Sequence, residues 1–583
     1  MGNIWRVSGP LVIADGMKGS QVYEIVEIGE EGIVGEIIGL EGNKAIIQAH
    51  EDTLGLKTGE TVRGTGRILS AELGPGLVGA IYDGLQKSLL TLIEDTGSFI
   101  KRGAKAPALP RDKKWHFTPK VKAGDRVSEG DIIGTVPETE LIEHRVMVPM
   151  GIKGTVKEIR EGDYTVEEPV ARVGHDGEIK SLLLMQEWPV RKPRPYKRRL
   201  DPSGLLTTGM RILDYMFPLA LGGKASIPGG FGTGKTVALQ QLARWAQTHL
   251  NIYVGCGERG NEMSDVLYSF RRLKDPNTGR LLQEKEIFIA NTSNMPVVAR
   301  EASIFVGITM AEYFRDMGYD VLLVADSTSR WAEAMREMSG RLEEMPGEEG
   351  FPSYLGSRLS SFYERAGMVE CVGSPDRRGS VTVAGAVSPP GADFSEPVTQ
   401  NTLRIVDALY ALDVSLANKR HFPAISWLTS YSLYVDAVKD WWDKVDPGWE
   451  DTRATALKIL QQEAELEEIV RLVGPEALPE GDKLLLLIAR MIREDFLQQS
   501  AYHEVDTYCV PKKAGLMLKT IIKFYDLAQE MLNSGIGIEK IRSSPIVYRI
   551  SRMKDVPNED FEQRVKELWL EMEESLVARK RVA

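Results

Sequence analysis

The sequence predicts a multidomain chain: an N-terminal antiparallel β-barrel, an inserted β module, an α/β P-loop domain and a C-terminal α-helical bundle. Three observations carry that expectation. The 583 residues divide into about four units at roughly 150 residues per domain. The period of the hydrophobic pattern changes along the chain, from strand-like alternation, through strands alternating with helices, to helical spacing alone. A glycine-rich phosphate-loop motif, GGFGTGKT, lies where the α/β pattern begins. With 43% apolar and 27% charged residues the composition is that of an ordinary folded protein.

Residues 1–70 carry short β-branched runs (EIVEIGEEGIVGEIIGLEGNKAIIQA) parted by glycine turns, the pattern of a small antiparallel barrel. Residues 71–110 read as a linker. They contain Gly74, Gly76 and Gly79 in a GxGxxG match, but the preceding TVRGTGRILSAE is a poor parallel-sheet strand, so a turn leading into a helix is expected there rather than a dinucleotide site. Residues 111–190 read as an inserted all-β module. VKAGDRVSEGDIIGTV and VMVPMGIKGTVKEIREGDYTV loosely resemble the halves of a biotinyl or lipoyl carrier barrel, yet Lys153 lacks the flanking pattern of a modified lysine, which favours a structural insertion. The run Arg191–Arg199 (RKPRPYKRR) is basic enough to meet phosphates, but its prolines suit an extended interdomain linker.

From 191 to 440 apolar strands (IYVGC, EIFIA, VLLVAD, VTVAGAV) alternate with amphipathic helices, which implies a mostly parallel sheet covered on both faces. From 441 to 583, LKILQQEAELEEIVRLVG, DKLLLLIARMIREDFLQQ and GLMLKTIIKFYDLAQEML repeat apolar residues at helical spacing.

Charge and cysteine usage exclude some classes. Acidic residues outnumber basic ones, 83 to 72, for a net charge of -11, which argues against nucleic acid as a partner. Cys256, Cys371 and Cys509 are too few for a disulfide framework and suit a reducing compartment. The start, MGNIWRVSGP, lacks the features of a signal peptide, and Arg6 stands where myristoylation needs Ser or Thr. No uncharged apolar run reaches the roughly 18 residues of a membrane span, so any membrane role passes through partners.

The chemistry concentrates in three places. Gly229, Gly230, Phe231, Gly232, Thr233 and Gly234 form the loop, and Lys235, Thr236 and Val237 open the helix after it. Glycines let backbone N–H groups turn toward phosphate oxygens, and the helix N-terminus adds positive potential. In such a loop the lysine reaches the β- and γ-phosphates and the Thr hydroxyl ligates Mg²⁺, which assigns these roles to Lys235 and Thr236. VLLVAD ends in Asp326, placed to hold a metal's water shell or, more plainly, to cap the next helix. IYVGCGERGNEM ends a strand at Glu258, a carboxylate able to polarise an attacking water, with Arg259 beside it for phosphate or for an ion pair. The alternative for Glu258, Arg259 and Glu262 is a surface salt-bridge cluster. No HExxH, GxSxG or Cys/His metal spacing appears, and His421 reads as structural or solvent-facing.

At GGFGTGKT, GCGERGNEM, VLLVADSTSRWAEAMRE, SYLGSRLSSFYERAG, SPPGADFSEPVTQNTLRIV and KRHFPAISWL the chain resembles the catalytic A subunits of V-type/A-type rotary ATPases, over essentially its whole length. The resemblance implies a RecA-like nucleotide domain and a protruding insertion at 111–190. It implies ATP/ADP and Mg²⁺ as ligands, Glu258 as the glutamate orienting water, and Lys235 and Arg259 as phosphate contacts. It further implies Thr236 and, through water, Asp326 as metal partners, and Phe422 and Tyr502 beside the adenine, Tyr508 less clearly. Subunits that donate an arginine finger carry Arg ten residues after the Pro of the PAI-like segment; counting from Pro423, this chain has Leu433. The finger is therefore expected from B-type subunits in an alternating A3B3 hexamer, with central and peripheral stalks and a membrane ion-translocating sector for H⁺ or Na⁺. The implied location is the cytoplasmic face of the cell membrane. Thr233 stands where eukaryotic members carry a P-loop cysteine, which points to an archaeal or bacterial member without that redox control. Two alternatives stay open: a non-catalytic nucleotide-binding structural subunit, which Glu258 and the intact loop disfavour, and a RecA-like hexameric export ATPase or RNA translocase, which the insertion and the acidic balance disfavour.

Overall fold

The structure, a computed structural model, describes residues 1–97, 103–104, 106–275 and 278–582. The chain divides into two compact units, one built from Met1–Asp201, Thr248–Ser388 and Phe394–Ile405, the other from Pro202–Gln247, Pro389–Asp393 and Val406 onward.

The first unit begins with a closed antiparallel barrel of strands Gly2–Ser8, Leu11–Asp15, Glu24–Ile28, Ile33–Glu41, Lys44–Ala49 and Thr61–Ile68, the first pairing with the last. Alternation along each strand sends Ile4, Val12, Ala14, Val26, Ile28, Ile47 and Val62 inward, and closure leaves no open edge. The inserted module folds as two four-stranded sheets. One contains Gly154–Ile159 and Ala171–His175, the other Trp115–Pro119 and Ile132–Pro137.

Residues 71–110, expected as a linker, contribute ordered elements. Ser70–Leu73 pairs with Gln186–Pro189, Ile81–Tyr82 runs parallel to Glu286–Thr292, and helix Leu89–Thr96 is capped by the Ser88 hydroxyl. The glycine loop within this stretch has its own anion. The N–H groups of Gly76 and Val78 donate to Glu138 Oε1 at 2.8 and 2.9 Å, while Glu138 Oε2 meets His144 Nδ1 at 2.8 Å and His144 Nε2 meets the Tyr313 hydroxyl at 2.9 Å. A protein carboxylate thus takes the place that a pyrophosphate occupies in a dinucleotide loop.

The α/β part of the first unit holds parallel strands in the order Arg378–Val387, Asp320–Asp326, Leu250–Glu258, Glu286–Thr292 and Ile81–Tyr82. Leu250–Glu258 is buried over all but its last residue, as expected of a strand covered on both faces. The basic run after 190 is not a free linker. Arg191 pairs with Glu36 and, at 2.7 Å, with Glu301; Arg194 pairs with Asp316 at 2.6 Å. Both guanidiniums are largely buried, which only such compensation allows.

The second unit carries strand Lys224–Pro228, parallel to Ala408–Leu409, which pairs antiparallel with Tyr431–Ser432. Its helices include Lys235–Trp245, Val435–Val445, Trp449–Val473, Glu480–Met491, Pro511–Asn533 and Phe561–Val582. Their packing follows the predicted spacing: Leu484, Leu485, Leu487 and Ile488 are buried on Glu480–Met491. Trp442 stacks on Trp449 with centroids 5.4 Å apart, and the Tyr215 hydroxyl donates to Asp446 at 2.9 Å. Among the described residues no helix is long and apolar enough to cross a membrane.

Candidate active site

In the second unit, the buried strand Lys224–Pro228 ends in the glycine loop. Gly232 and Gly234 adopt φ of +77° and +86°, a conformation that L side chains rarely hold. A Cβ on Gly229 would lie 2.6 Å from the Leu412 Cβ and 2.8 Å from Thr233 Oγ1, so only glycine lets the chain pass there. Gly234 caps helix Lys235–Trp245, whose first-turn N–H groups and dipole point at the loop. The Thr233 hydroxyl donates to the Gly230 carbonyl at 2.8 Å, and Lys235 Nζ donates to the carbonyls of Gly229 and Gly230 at 2.6 and 2.9 Å. The ammonium is thereby held within the loop. Thr236 and Val237 are half-buried, and Phe231 stands out of the loop, 89% exposed.

Beside the loop lies a cavity of about 490 Å³. One wall is Gly232, Thr233, Gly234 and Val237, continued along the helix by Ala238 and Gln241; a second is Arg420, Phe422, Pro423 and Ala424; a third is the segment Gln498–His503 with Asp506 and Thr507. The Phe422 ring backs the loop, since a Cβ on Gly234 would come 3.5 Å from it. Tyr502 edges the cavity and is 86% exposed, whereas Tyr508 packs against Trp245 with centroids 5.5 Å apart and does not line it. The volume suits a nucleoside, with aromatic faces able to stack on a base. Sequence reasoning missed Gln241, although it stands one helical turn beyond Val237, and it missed the polar wall Gln498–Ser500, which carries no motif. His421 is buried against Trp427, and burial lowers its pKa to about 4, so it is a neutral structural imidazole.

In the first unit, Glu258 and Asp326 each close a parallel strand, and these strands are neighbours, with Asp326 opposite Gly255. Asp326 is buried and accepts a hydrogen bond from the Tyr253 hydroxyl at 3.0 Å. Arg259 is exposed at the N-cap of helix Gly260–Phe270, and Glu262 stands in that helix's first turn. Burial raises the pKa of Glu258, the charges of Asp326 and Glu262 raise it further, and Arg330 opposes them. Among the described residues no three such side chains group as a closed metal site, but the buried carboxylate of Asp326 is a hard-oxygen donor of the kind that suits Mg²⁺, an ion that needs few protein ligands and keeps several waters.

A glycine loop holding an ammonium at a helix N-terminus, next to a nucleoside-sized aromatic cavity, defines a P-loop nucleotide-binding protein. Residues 209–432 match the ATP synthase alpha/beta family nucleotide-binding domain, 4–66 its beta-barrel domain, 106–191 the alpha/beta subunit barrel-sandwich domain, and 439–542 the C-terminal domain of V and A type ATP synthase. The chain is 64% identical to the A subunit of the A-type ATP synthase of Staphylothermus marinus, over 97% of its own length and 96% of that protein's. It is 61% identical to the corresponding protein of Thermococcus sibiricus, over 96% of each, and 58% identical to that of Methanopyrus kandleri, over 98% of this chain and 97% of the other. The chain belongs to the ATP synthase alpha/beta family, among the A subunits of A-type ATP synthases.

Proposed function

We propose that this chain is the catalytic component of an A-type rotary ATPase, hydrolysing or synthesising Mg·ATP and coupling that reaction to H⁺ or Na⁺ movement through membrane partners. The observation that carries the reading is the loop Gly229–Gly234 with Lys235 folded beneath its carbonyls, in a chain of this family. Lys235 and the loop N–H groups bind the β- and γ-phosphates; the Thr236 hydroxyl would hold the metal, and Asp326 would hold it through water. Mg²⁺, when bound, neutralises phosphate charge and polarises the phosphoryl oxygens. Ionised Glu258 accepts a hydrogen bond from the attacking water and orients it, Arg259 contacts the γ-phosphate, and Phe422 and Tyr502 flank the adenine.

The chain has Leu433, 69% exposed, where a finger arginine would stand, so the transition-state charge is met by an arginine of a B-type partner in an A3B3 hexamer. That hexamer, joined to central and peripheral stalks, sits at the cytoplasmic face of the membrane as a peripheral head. Glu258→Gln in the assembled complex tests the catalytic role. Turnover is expected to fall by about 10²–10⁴ while ADP binding persists; unchanged turnover would instead favour a purely structural, non-catalytic role.

A further inference from the structure

The third wall of the cavity has no regular secondary structure: Gln498–Cys509 is turns and coil between Ile492–Leu497 and the helix starting at Pro511. A wall of that kind holds its place through specific bonds; Thr507 Oγ1 donates to the Ala501 carbonyl at 2.9 Å within the segment, and four further bonds meet at one buried residue. Arg211 donates from Nε to the Phe496 carbonyl at 2.5 Å, from Nη1 to Asp506 Oδ1 at 2.6 Å and from Nη2 to the Gln498 carbonyl at 2.8 Å, while its backbone N–H meets Gln499 Oε1 at 2.8 Å. The partners are then passed on. Asp506 Oδ2 accepts the Ser500 N–H at 2.8 Å, Gln499 Nε2 donates to the carbonyls of Gly209 and Asp506, and the Gln499 backbone N–H donates to the Phe422 carbonyl at 2.9 Å. The guanidinium thus fixes Gln498 and Asp506, on either side of Tyr502, and, through the peptide joining Gln498 to Gln499, the backbone behind the Phe422 ring. Arg211 itself is wholly buried and does not line the cavity.

We propose that Arg211 is a positioning residue for the base of the nucleotide, holding the segment Gln498–Asp506 and the Phe422 strap at the spacing that admits a purine between aromatic faces. The proposal rests on the reading of this cavity as the nucleoside site. Arg211 acts on the base end only: its bonds reach the third wall and the strap, whereas the phosphate loop is held by its own Thr233 and Lys235 bonds. A lysine keeps the charge opposite Asp506 but cannot serve the Phe496 and Gln498 carbonyls together, because a compact ammonium lacks the fork of the guanidinium.

The test is calorimetric titration of the full chain with Mg·ADP and, separately, with inorganic tripolyphosphate, together with KM and kcat of the assembled complex. For Arg211→Lys we expect ADP affinity to fall about tenfold, tripolyphosphate affinity to stay within about twofold, and KM to rise with kcat nearly unchanged. Arg211→Met should lose more than Arg211→Lys. Equal loss for ADP and tripolyphosphate, or no loss for ADP, overturns the proposal. Should Arg211→Lys fail to fold, Asp506→Asn, which keeps the side-chain volume and weakens the same staple, is read in the same way, and wild-type ADP affinity in that variant also overturns it. Failure of the wild-type chain to bind Mg·ADP would instead remove the reading of the cavity itself.

Discussion

At the scale of single residues, the site's character comes from where the strands stop. Leu250–Glu258 and Asp320–Asp326 have largely apolar, buried interiors, and each ends in a carboxylate. Burial raises the proton affinity of Glu258, the charge of Asp326 at the neighbouring strand end raises it further, and Glu262, in the first turn of the following helix, adds to the effect through a side-chain hydrogen bond and its charge. In the role proposed for it Glu258 orients water only when ionised, so its raised pKa is expected to set the acidic limb of activity. Removing the contribution of Glu262 must lower that pKa. Glu262→Gln is therefore expected to carry the acidic limb of the kcat/KM profile, which reports the free enzyme, toward lower pH. A limb that stays in place or moves upward would show that another group controls it. Burial acts in the same sense on Cys256, whose thiol pKa is pushed up to about 12, so that thiol stays protonated and unreactive at neutral pH.

At the scale of elements, the glycine-rich turn 74–79 shows how one motif takes different work from different neighbours. The loop Gly229–Gly234 leads into an eleven-residue helix and borders a cavity, whereas Gly76 and Val78 spend their N–H groups on Glu138. Glu138 is buried, and it also holds His144, which reaches Tyr313 on helix Val297–Asp316. Deleting this carboxylate strands two backbone donors and an imidazole. Glu138→Ala is expected to cost about 2–4 kcal/mol in urea unfolding, with faster amide exchange at residues 76 and 78 and in Glu143–Met147; a loss below about 0.5 kcal/mol would show that water replaces it. The phosphate loop was legible in the sequence because its physics is local: glycine turn, lysine and helix start lie within eight residues of one another. The fate of Arg191 was not, because Glu36 lies 155 residues away and Glu301 lies 110 away, and no local pattern announces such a partner. The same distance hid the third wall of the cavity, since Arg211 and Asp506 are 295 residues apart.

At the scale of the whole molecule, the three successive regimes of hydrophobic pattern translate into barrel and inserted sheets, then α/β layers, then helices, because each period dictates which face must be covered before any tertiary contact is specified. Periodicity says nothing of what the chain lacks. Phe422 begins the same short segment that ends near Leu433, so a residue beside the cavity and a missing cation are read from one stretch of sequence. Leu433 is an exposed apolar side chain that offers no charge to a transition state. Phosphoryl transfer depends on positive charge at the equatorial oxygens, and an arginine supplied by a partner is worth about 10³–10⁵ in rate. The purified chain should therefore bind Mg·ADP yet hydrolyse ATP slowly, and mixing it with the B-type partner should raise turnover by orders of magnitude without tightening ADP binding to the same degree. The comparison is one of steady-state ATPase rates for the chain alone, the partner alone and the reconstituted hexamer, with Glu258→Gln in the chain as the control. Rapid hydrolysis by the isolated chain would mean that it supplies the missing charge from its own residues, and the dependence on a partner arginine would fall.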